Sequence, residues 1–365
     1  MSEGQEAEPK RDLGERFRRL IRAHGPMSVS RFMGESNAHY YASRDPLGAP
    51  NDSGETGGGD FITAPDISQM FGEFVGLWLT DIWMRAGAAS DAAYVELGPG
   101  RGTLAVDALR AMAPHGLTPA PHLVEGSPVL RDLQRAALPA AQFHDDTQNL
   151  PKNGPLLIVA NEFLDALPIR QLVKTASGWR ERLVALDGEH FLYAAGPNPM
   201  DAGVPEIHNA HQTGTVLETC PAAAAIMQDL AARLARQGGA ALFIDYGYLT
   251  PQTGSTLQAV QSHQKIDALA APGEADLTAH VDFATLAEIA SGAGLRVQSA
   301  TQGEWLEAMG IGMRAQALAA SAPDRAEEIE TARQRLVAPE QMGELFKVLA
   351  VTSQDWPEGA GFPPE

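Results

Sequence analysis

From residue 93 onward, short apolar runs alternate with amphipathic segments, and this rhythm constrains the fold more than any other feature of the chain. Strands are expected over 93–97 (AYVEL), 121–125 (PHLVE), 141–144 (AQFH) and 155–161 (PLLIVAN), with helices over 102–113 and 127–137 between them. The runs are continuously apolar, so each strand must be covered on both faces. Strands of this kind separated by helices build a parallel sheet between helical layers, an α/β fold.

The pattern changes around this core. Residues 12–41 read as helix, with a break and restart in HGPMSVSRFM, and RDPLGAPNDSGETGGGD reads as a mobile loop. A buried helix is expected from Pro65 to Gly87, with Ile67, Met70, Phe71, Phe74, Val75, Trp78, Leu79 and Ile82 on one broad face. After residue 170, QLVKTA, WRERLVALD and HFLYAA alternate apolar with polar residues, the pattern of antiparallel hairpins. A helix closed by glycines then leads into the strand AALFIDYG, and residues 248–280 read as largely irregular. A helix over 281–292, a strand near 295–300, helices over 303–336 and a strand over 346–352 complete the chain. A length of 365 residues accommodates a core and an accessory region. The expected division is an N-terminal helical lid region over 1–90 with a flexible loop at 44–60, a core over 91–170 and 215–353, an inserted hairpin region over 171–214, and a tail over 354–365.

Chemistry enters where the first strand ends. Glu96-Leu97-Gly98-Pro99-Gly100-Arg101-Gly102 has the form E-x-G-x-G-x-G and connects a strand to a helix. Ligands of open α/β sheets bind at this carboxyl edge, and glycines let the backbone approach them. A dinucleotide fold places its third glycine at the position held by Thr103, and a phosphate-binding loop ends in Gly-Lys-Ser/Thr, which is absent. The single-residue spacing resembles the first motif of S-adenosylmethionine methyltransferases, and an acid such as Glu96 suits a ligand carrying a sulfonium and an ammonium. Glu125 ends the second strand, where a carboxylate can accept both ribose hydroxyls. Asp145 and Asp146 follow the third, within reach of an adenine amino group. Asn161, Glu162 and Asp165 follow the fourth, on the edge that faces a transferable methyl, and Pro168 ends that segment.

Composition narrows the partners. Lys plus Arg number 27 against 46 Asp plus Glu, a formal charge of -19, which disfavours nucleic acid and anionic lipid surfaces and suits a basic partner. One cysteine, Cys220, excludes an internal disulfide and a cysteine-rich metal site, and no metal is expected. No apolar run reaches the ~18 residues of a membrane span. The acidic, polar start lacks the character of a signal peptide or a mitochondrial presequence. These features lead to an expected bacterial cytoplasmic location.

GDFITAPDISQMFGE, ELGPGRGTL, HLVE, NEFLDALPIRQ, IDYG, TLQAV, GEADLTAHVDF and APEQMGELFKVL together resemble the MidA-like family, over roughly residues 13–353. Mitochondrial members of that family are arginine methyltransferases that assist assembly of respiratory complex I. The resemblance implies a class I methyltransferase (Rossmann-like) fold with a mixed seven-stranded sheet. It also implies S-adenosyl-L-methionine as cofactor and, as in the mitochondrial members, symmetric dimethylation of arginine in a complex I subunit or similar protein. Departures are Asp66 where Glu is usual, Gly126 after Glu125, and a longer loop in GAPNDSGETGGGD. On this reading Thr63 and Pro65 fold over the cofactor, which Glu96, Gly98, Gly100, Gly102, Glu125, Asp145, Asp146 and Asn161 hold. An arginine acceptor arrives protonated, with a pKa of about 13.8. Carboxylates answer that problem by gripping the guanidinium fork and taking its proton, so Glu162 and Asp165 are the expected catalytic pair, with Asp245 and Tyr246 completing the pocket. His280 is a secondary candidate for proton acceptor, its alternative role being a helix cap or a core hydrogen-bond partner. A homodimer is compatible with the hairpin region. Two other readings share the same cofactor residues: a small-molecule methyltransferase, and a non-catalytic assembly chaperone.

Overall fold

The expected apolar runs form the centre of the computed structural model, which describes residues 12–43, 62–261 and 264–363. The chain divides into two units. The larger takes in the described residues of 62–167, 220–252 and 279–363. Its sheet contains β1 (Ala93–Leu97), β2 (Pro121–Val124), β3 (Gln142–His144), β4 (Leu156–Asn161), β5 (Gly239–Tyr248), β6 (Arg296–Thr301) and β7 (Phe346–Thr352), in the order β3-β2-β1-β4-β5-β7-β6. The pairings β3-β2, β2-β1, β1-β4 and β4-β5 are parallel. β7 runs antiparallel to both of its neighbours. A two-residue strand, Val281–Asp282, adds an eighth member alongside the end of β5.

Both faces of the sheet are buried, as continuous apolar strands require. Leu157, Val159, Ala240, Leu242 and Ile244 pack with α1 (Gln69–Arg85) and α2 (Thr103–Met112). The intervening Ile158, Ala160, Ala241 and Phe243 pack on the opposite side with α4 (Pro221–Gln237) and α5 (Phe283–Gly292), while α3 (Pro128–Ala137) follows β2. Ser68 separates α1 from a one-turn helix, Ala64–Ile67. Its backbone is extended, and its hydroxyl accepts the Met70 N–H at 3.2 Å. The single helix expected after Pro65 is therefore two pieces. Gly72 and Gly76, one helical turn apart, press α1 onto α2. A Cβ on Gly72 would sit 2.6 Å from Asp107 Cβ, and one on Gly76 would collide with the Ala108 backbone.

The smaller unit combines residues 12–43 with Pro168–Thr219 and Thr253–Thr278. The three alternating segments form strands Arg170–Thr175, Gly178–Asp187 and His190–Pro199, paired antiparallel in sequence order. Trp179 is fully buried there beside Leu172 and Val204. Helix Val29–Ser43 carries a buried Asn37 that bonds both backbone groups of Leu277, at 2.7 and 3.1 Å, on the side of a short strand away from its paired neighbour. That strand belongs to a three-stranded sheet, Gln258–Gln261, Gln264–Ile266 and Asp276–Thr278, within the stretch expected to be irregular. Strands of three or four residues are too short to show a periodicity. The helical stretch expected at 303–336 is three helices, α6 (Gln302–Met309), α7 (Ile311–Ser321) and α8 (Ala326–Val337). Gly310, at φ +95, and a turn at Pro323–Arg325 break it. The loop expected at 44–60 lies outside the described residues.

The close approach of α1 and α2 has a measurable consequence. Gly76→Ala should destabilise the protein by about 1–3 kcal/mol, because the added methyl meets rigid backbone. Chemical denaturation monitored by tryptophan fluorescence would show this as a lower midpoint with an unchanged slope.

Candidate active site

The connections reverse direction between β1 and β4, and the crevice at such a switch point is where open α/β sheets bind ligands. Gly98, Gly100 and Gly102 line the loop after β1, all at positive φ (+62, +55 and +85). Gly98 N–H donates to Val124 O at 2.9 Å, and Gly102 N–H donates to Pro99 O at 2.7 Å as it opens α2 in the left-handed conformation. A Cβ at Gly98 would fall 2.6 Å from Phe163 Cδ2, so the space freed there admits an aromatic ring from the neighbouring strand tip. Glu96 is buried below the loop and accepts the Tyr94 hydroxyl at 2.7 Å. Burial pushes its carboxyl up to about 7, against the opposing hydrogen bond from Tyr94.

At the next tip, Glu125 is pinned by the Ser127 N–H (2.7 Å) and by Gln134 Nε2 (3.3 Å). Burial pushes its pKa up from the ordinary carboxylate value. Gln134 is fully buried on α3, and the same Nε2 donates to Gly100 O at 2.7 Å, so one amide ties the glycine loop to Glu125. Asp145 and Asp146 sit at the β3 tip with other partners. Asp145 is 85% exposed and pairs with Arg131 Nη2 at 2.6 Å. Asp146 caps a short turn through the Gln148 N–H at 2.8 Å.

The β4 tip is the most constrained part of the site. Asn161 is buried. Its Nδ2 donates to Glu162 Oε1 at 3.2 Å, and its Oδ1 is buried with no hydrogen-bond partner. Glu162 takes φ +50, which is rare for a residue other than glycine. Glu162 Oε1 also accepts the Ala64 N–H at 3.0 Å, from the turn that Thr63 opens and in which Pro65 is buried. Asp245, 1% exposed, lies beneath this tip. Its Oδ2 accepts the N–H groups of Phe163, Leu164 and Asp165 at 3.2, 3.0 and 3.2 Å, and its Oδ1 accepts that of Tyr246 at 2.9 Å. Both oxygens are thus engaged by backbone, which places Asp245 as a brace under the tip. The Tyr246 hydroxyl bonds the Asp165 carboxylate, and its ring stands edge-on to His280 and Phe346, at 5.7 and 5.4 Å between centroids.

Shared burial holds these acids toward the protonated form. Burial, followed by the charges of Asp165 and Asp66, pushes Glu162 up to about 8, against the Ala64 and Asn161 hydrogen bonds. Burial pushes Asp165 up to about 6. Burial and the charges of Asp165 and Glu162 push Asp245 well above the carboxylate range. The structure therefore gathers Asn161, Glu162, Asp165, Asp245 and Tyr246 into one cluster, with the Thr63–Pro65 turn against Glu162. It places Glu96, the glycines and Glu125 around the β1 and β2 tips, and it engages Asp145 and Asp146 elsewhere. Tyr94, Gln134 and Phe163 escaped the sequence reading because nothing local marks them. Gln134 and Tyr94 occupy ordinary apolar-face positions of a helix and a strand.

The strand order, the positive-φ glycine loop at the switch point and the carboxylate after β2 define a class I S-adenosyl-L-methionine-dependent methyltransferase. The family described as "Putative S-adenosyl-L-methionine-dependent methyltransferase" matches residues 74–301, and the chain belongs to it. Protein arginine methyltransferase NDUFAF7, mitochondrial, of Danio rerio is 37% identical over 91% of this chain and 84% of its own length. The Homo sapiens protein of that name is 34% identical over 91% and 81%. A Burkholderia thailandensis protein solved with S-adenosyl-homocysteine bound superposes with a TM-score of 0.81 at 30% identity, covering 96% of this chain and 93% of that one. The curated relatives correct the expectation of a bacterial cytoplasmic protein, since they are mitochondrial proteins of animals. That expectation drew on the first dozen residues and on a single cysteine, and a reduced thiol does not distinguish one reducing compartment from another.

The cofactor is S-adenosyl-L-methionine, and the residues present fit it. Asn161 Oδ1 is an orphaned buried acceptor, the loop at the β1 tip turns on three positive-φ glycines that carry no side chain, and Glu125 offers carboxylate oxygens at the β2 tip.

The raised acids set a pH signature. An acid whose folded pKa is raised stabilises the fold fully below its unfolded value, and that stabilisation is lost as pH rises through the folded value. For Glu96 and Glu162 the loss extends from the ordinary carboxylate value of 4.5 to about 7 and about 8. The Tm of the cofactor-free protein should therefore fall as buffer pH is raised from 5 to 8. Glu96→Gln and Glu162→Gln should each flatten that fall in a calorimetric pH series.

Proposed function

We propose that this methyltransferase modifies arginine side chains of a protein acceptor, with a subunit of respiratory complex I, as the motif resemblance indicates, the first acceptor to test. One observation carries the reading. Glu162 and Asp165 form a buried acid pair at the β4 tip, and among the described residues no lysine or arginine side chain is paired with either. A pair of this kind is complementary to a cation that arrives with the substrate. The relatives' names as protein arginine methyltransferases agree with that cation being a guanidinium.

In this reading the glycine loop, Glu125 and Asn161 hold the cofactor, which when bound supplies an electrophilic methyl group and leaves as a neutral thioether. Glu162 Oε1 is committed to Ala64 and Asn161, so Oε2 faces the acceptor. The guanidinium fork lies across Glu162 Oε2 and the Asp165 carboxylate, a bidentate grip that orients one nitrogen and excludes water. The arriving positive charge lowers the Glu162 pKa and discharges its proton. As the nitrogen is alkylated, its proton passes to Glu162 Oε2, whose basicity near neutrality suits a general base. Tyr246 holds Asp165 in register from below. Asp245 acts through the backbone of the tip. The negative surface charge draws a basic segment toward the site.

The acid limb of kcat/KM for an arginine peptide should lie near pH 8, because free Glu162 must lose its proton to act. Glu162→Gln should lower kcat by about 100-fold or more while S-adenosylmethionine affinity, measured by calorimetry, stays within severalfold. Mass spectrometry of labelled respiratory complex subunits should find the methyl groups on arginine. Label confined to lysine, or full activity in Glu162→Gln, would discard the proposal.

A further inference from the structure

The turn Thr63–Ile67 meets the site at two points, and only one of them is Glu162. Asp66 makes the other. Its Oδ2 accepts the Thr63 hydroxyl at 2.8 Å, and its Oδ1 accepts the Thr103 hydroxyl at 3.3 Å. Thr103 is the first residue of α2, directly after the left-handed Gly102 that closes the glycine loop. Within the turn, the Asp66 N–H returns to Thr63 O at 3.0 Å, and the Ala64 N–H reaches Glu162 Oε1 at the same distance. One short segment therefore spans from the loop that holds the cofactor to the carboxylate that meets the acceptor. Asp66 is the cleat at its cofactor end.

We propose that Asp66 is a positioning residue that docks the Thr63–Pro65 turn on the glycine-loop helix and places a second carboxylate on the turn that bonds Glu162. The catalytic meaning of that charge rests on the role assigned above to Glu162. The docking does not. A carboxylate bridging two hydroxyls holds both in one geometry, and an uncharged amide can replace it in shape, since it accepts from one hydroxyl and donates to the other. A methyl cannot. The charge acts alongside others on Glu162. Asp165 bears on it from the same tip and Asp66 from the turn, while the Ala64 N–H and the Asn161 amide oppose them.

Docking and charge can be read separately in the full-length protein. Asp66→Ala should raise the calorimetric Kd for S-adenosylmethionine about tenfold, and Asp66→Asn should leave it within about threefold. Titration of the Glu162 carboxyl carbon by NMR, assigned by its loss in Glu162→Gln, should show the midpoint in Asp66→Asn about half a pH unit below wild type, because a neighbouring negative charge has been removed. Asp66→Ala with wild-type cofactor affinity would overturn the docking role. An unmoved Glu162 midpoint in Asp66→Asn would overturn the electrostatic one. Neither measurement uses an acceptor, so failure of the arginine reading would appear separately, as methyl transfer by Glu162→Gln at the wild-type rate.

Discussion

The tip of the β4 strand keeps its shape because one buried carboxylate gathers its backbone. Asp245 accepts three successive N–H groups, from Phe163 to Asp165, together with that of Tyr246. With the N–H groups drawn inward, the chain turns sharply enough that Glu162 is carried into left-handed φ. Such a conformation costs a residue other than glycine about 1–3 kcal/mol. Net hydrogen bonds contribute about 0.5–1.5 kcal/mol each, so four of them together offset the strain. Without Asp245 the carboxylates of Glu162 and Asp165 would have no reason to share one small volume.

The same brace makes the site electrostatically frustrated. Asp165 and Glu162 raise the proton affinity of the buried Asp245, and Asp165 and Asp66 raise that of Glu162. Burying like charges together is unfavourable unless a proton or a cation neutralises them. A protein that needed only to fold would have little use for such a cluster. A protein that must attract a cation, orient it and accept a proton from it gains a site poised to discharge when the cation arrives. Structure and chemistry meet at Glu162, which has one oxygen tied to the Thr63–Ile67 turn and the other available.

The cofactor side rests on close helix packing and on side chains that serve two loops at once. Gly72 and Gly76 bring α1 against α2, and α2 begins at the last glycine of the loop. Gln134 joins Gly100 to Glu125 from α3. The glycine loop is therefore held from beneath by packing and from the side by an amide. A loop fixed in this way spends little ordering free energy on ligand binding.

Much of this was legible in the linear chain. Runs such as LLIVA announce doubly covered strands, because no other arrangement buries consecutive apolar side chains on a strand. Three glycines at single-residue spacing announce a turn that other residues cannot make, and an acid at a strand end announces a carboxylate on the ligand edge. All of these depend on neighbours in sequence. The short strands of 258–278 were not legible, since three residues carry no period, and neither was the break of α1 at Ser68. The role of Asp245 was hidden for a different reason. Its partner Asp165 lies 80 residues away in the chain, and only the parallel pairing of β4 with β5 brings them together. Asp66 reaches Thr103 across 37 residues in the same manner. Residue order by itself determined the sheet, the loop and the chemical types present at each strand tip, because those follow from local sterics and apolar periodicity. Only the tertiary structure decided which carboxylate meets the Thr63–Ile67 turn, which gathers the backbone of the β4 tip and which bridges to Thr103, because a side chain's partners depend on the donors that folding places around it.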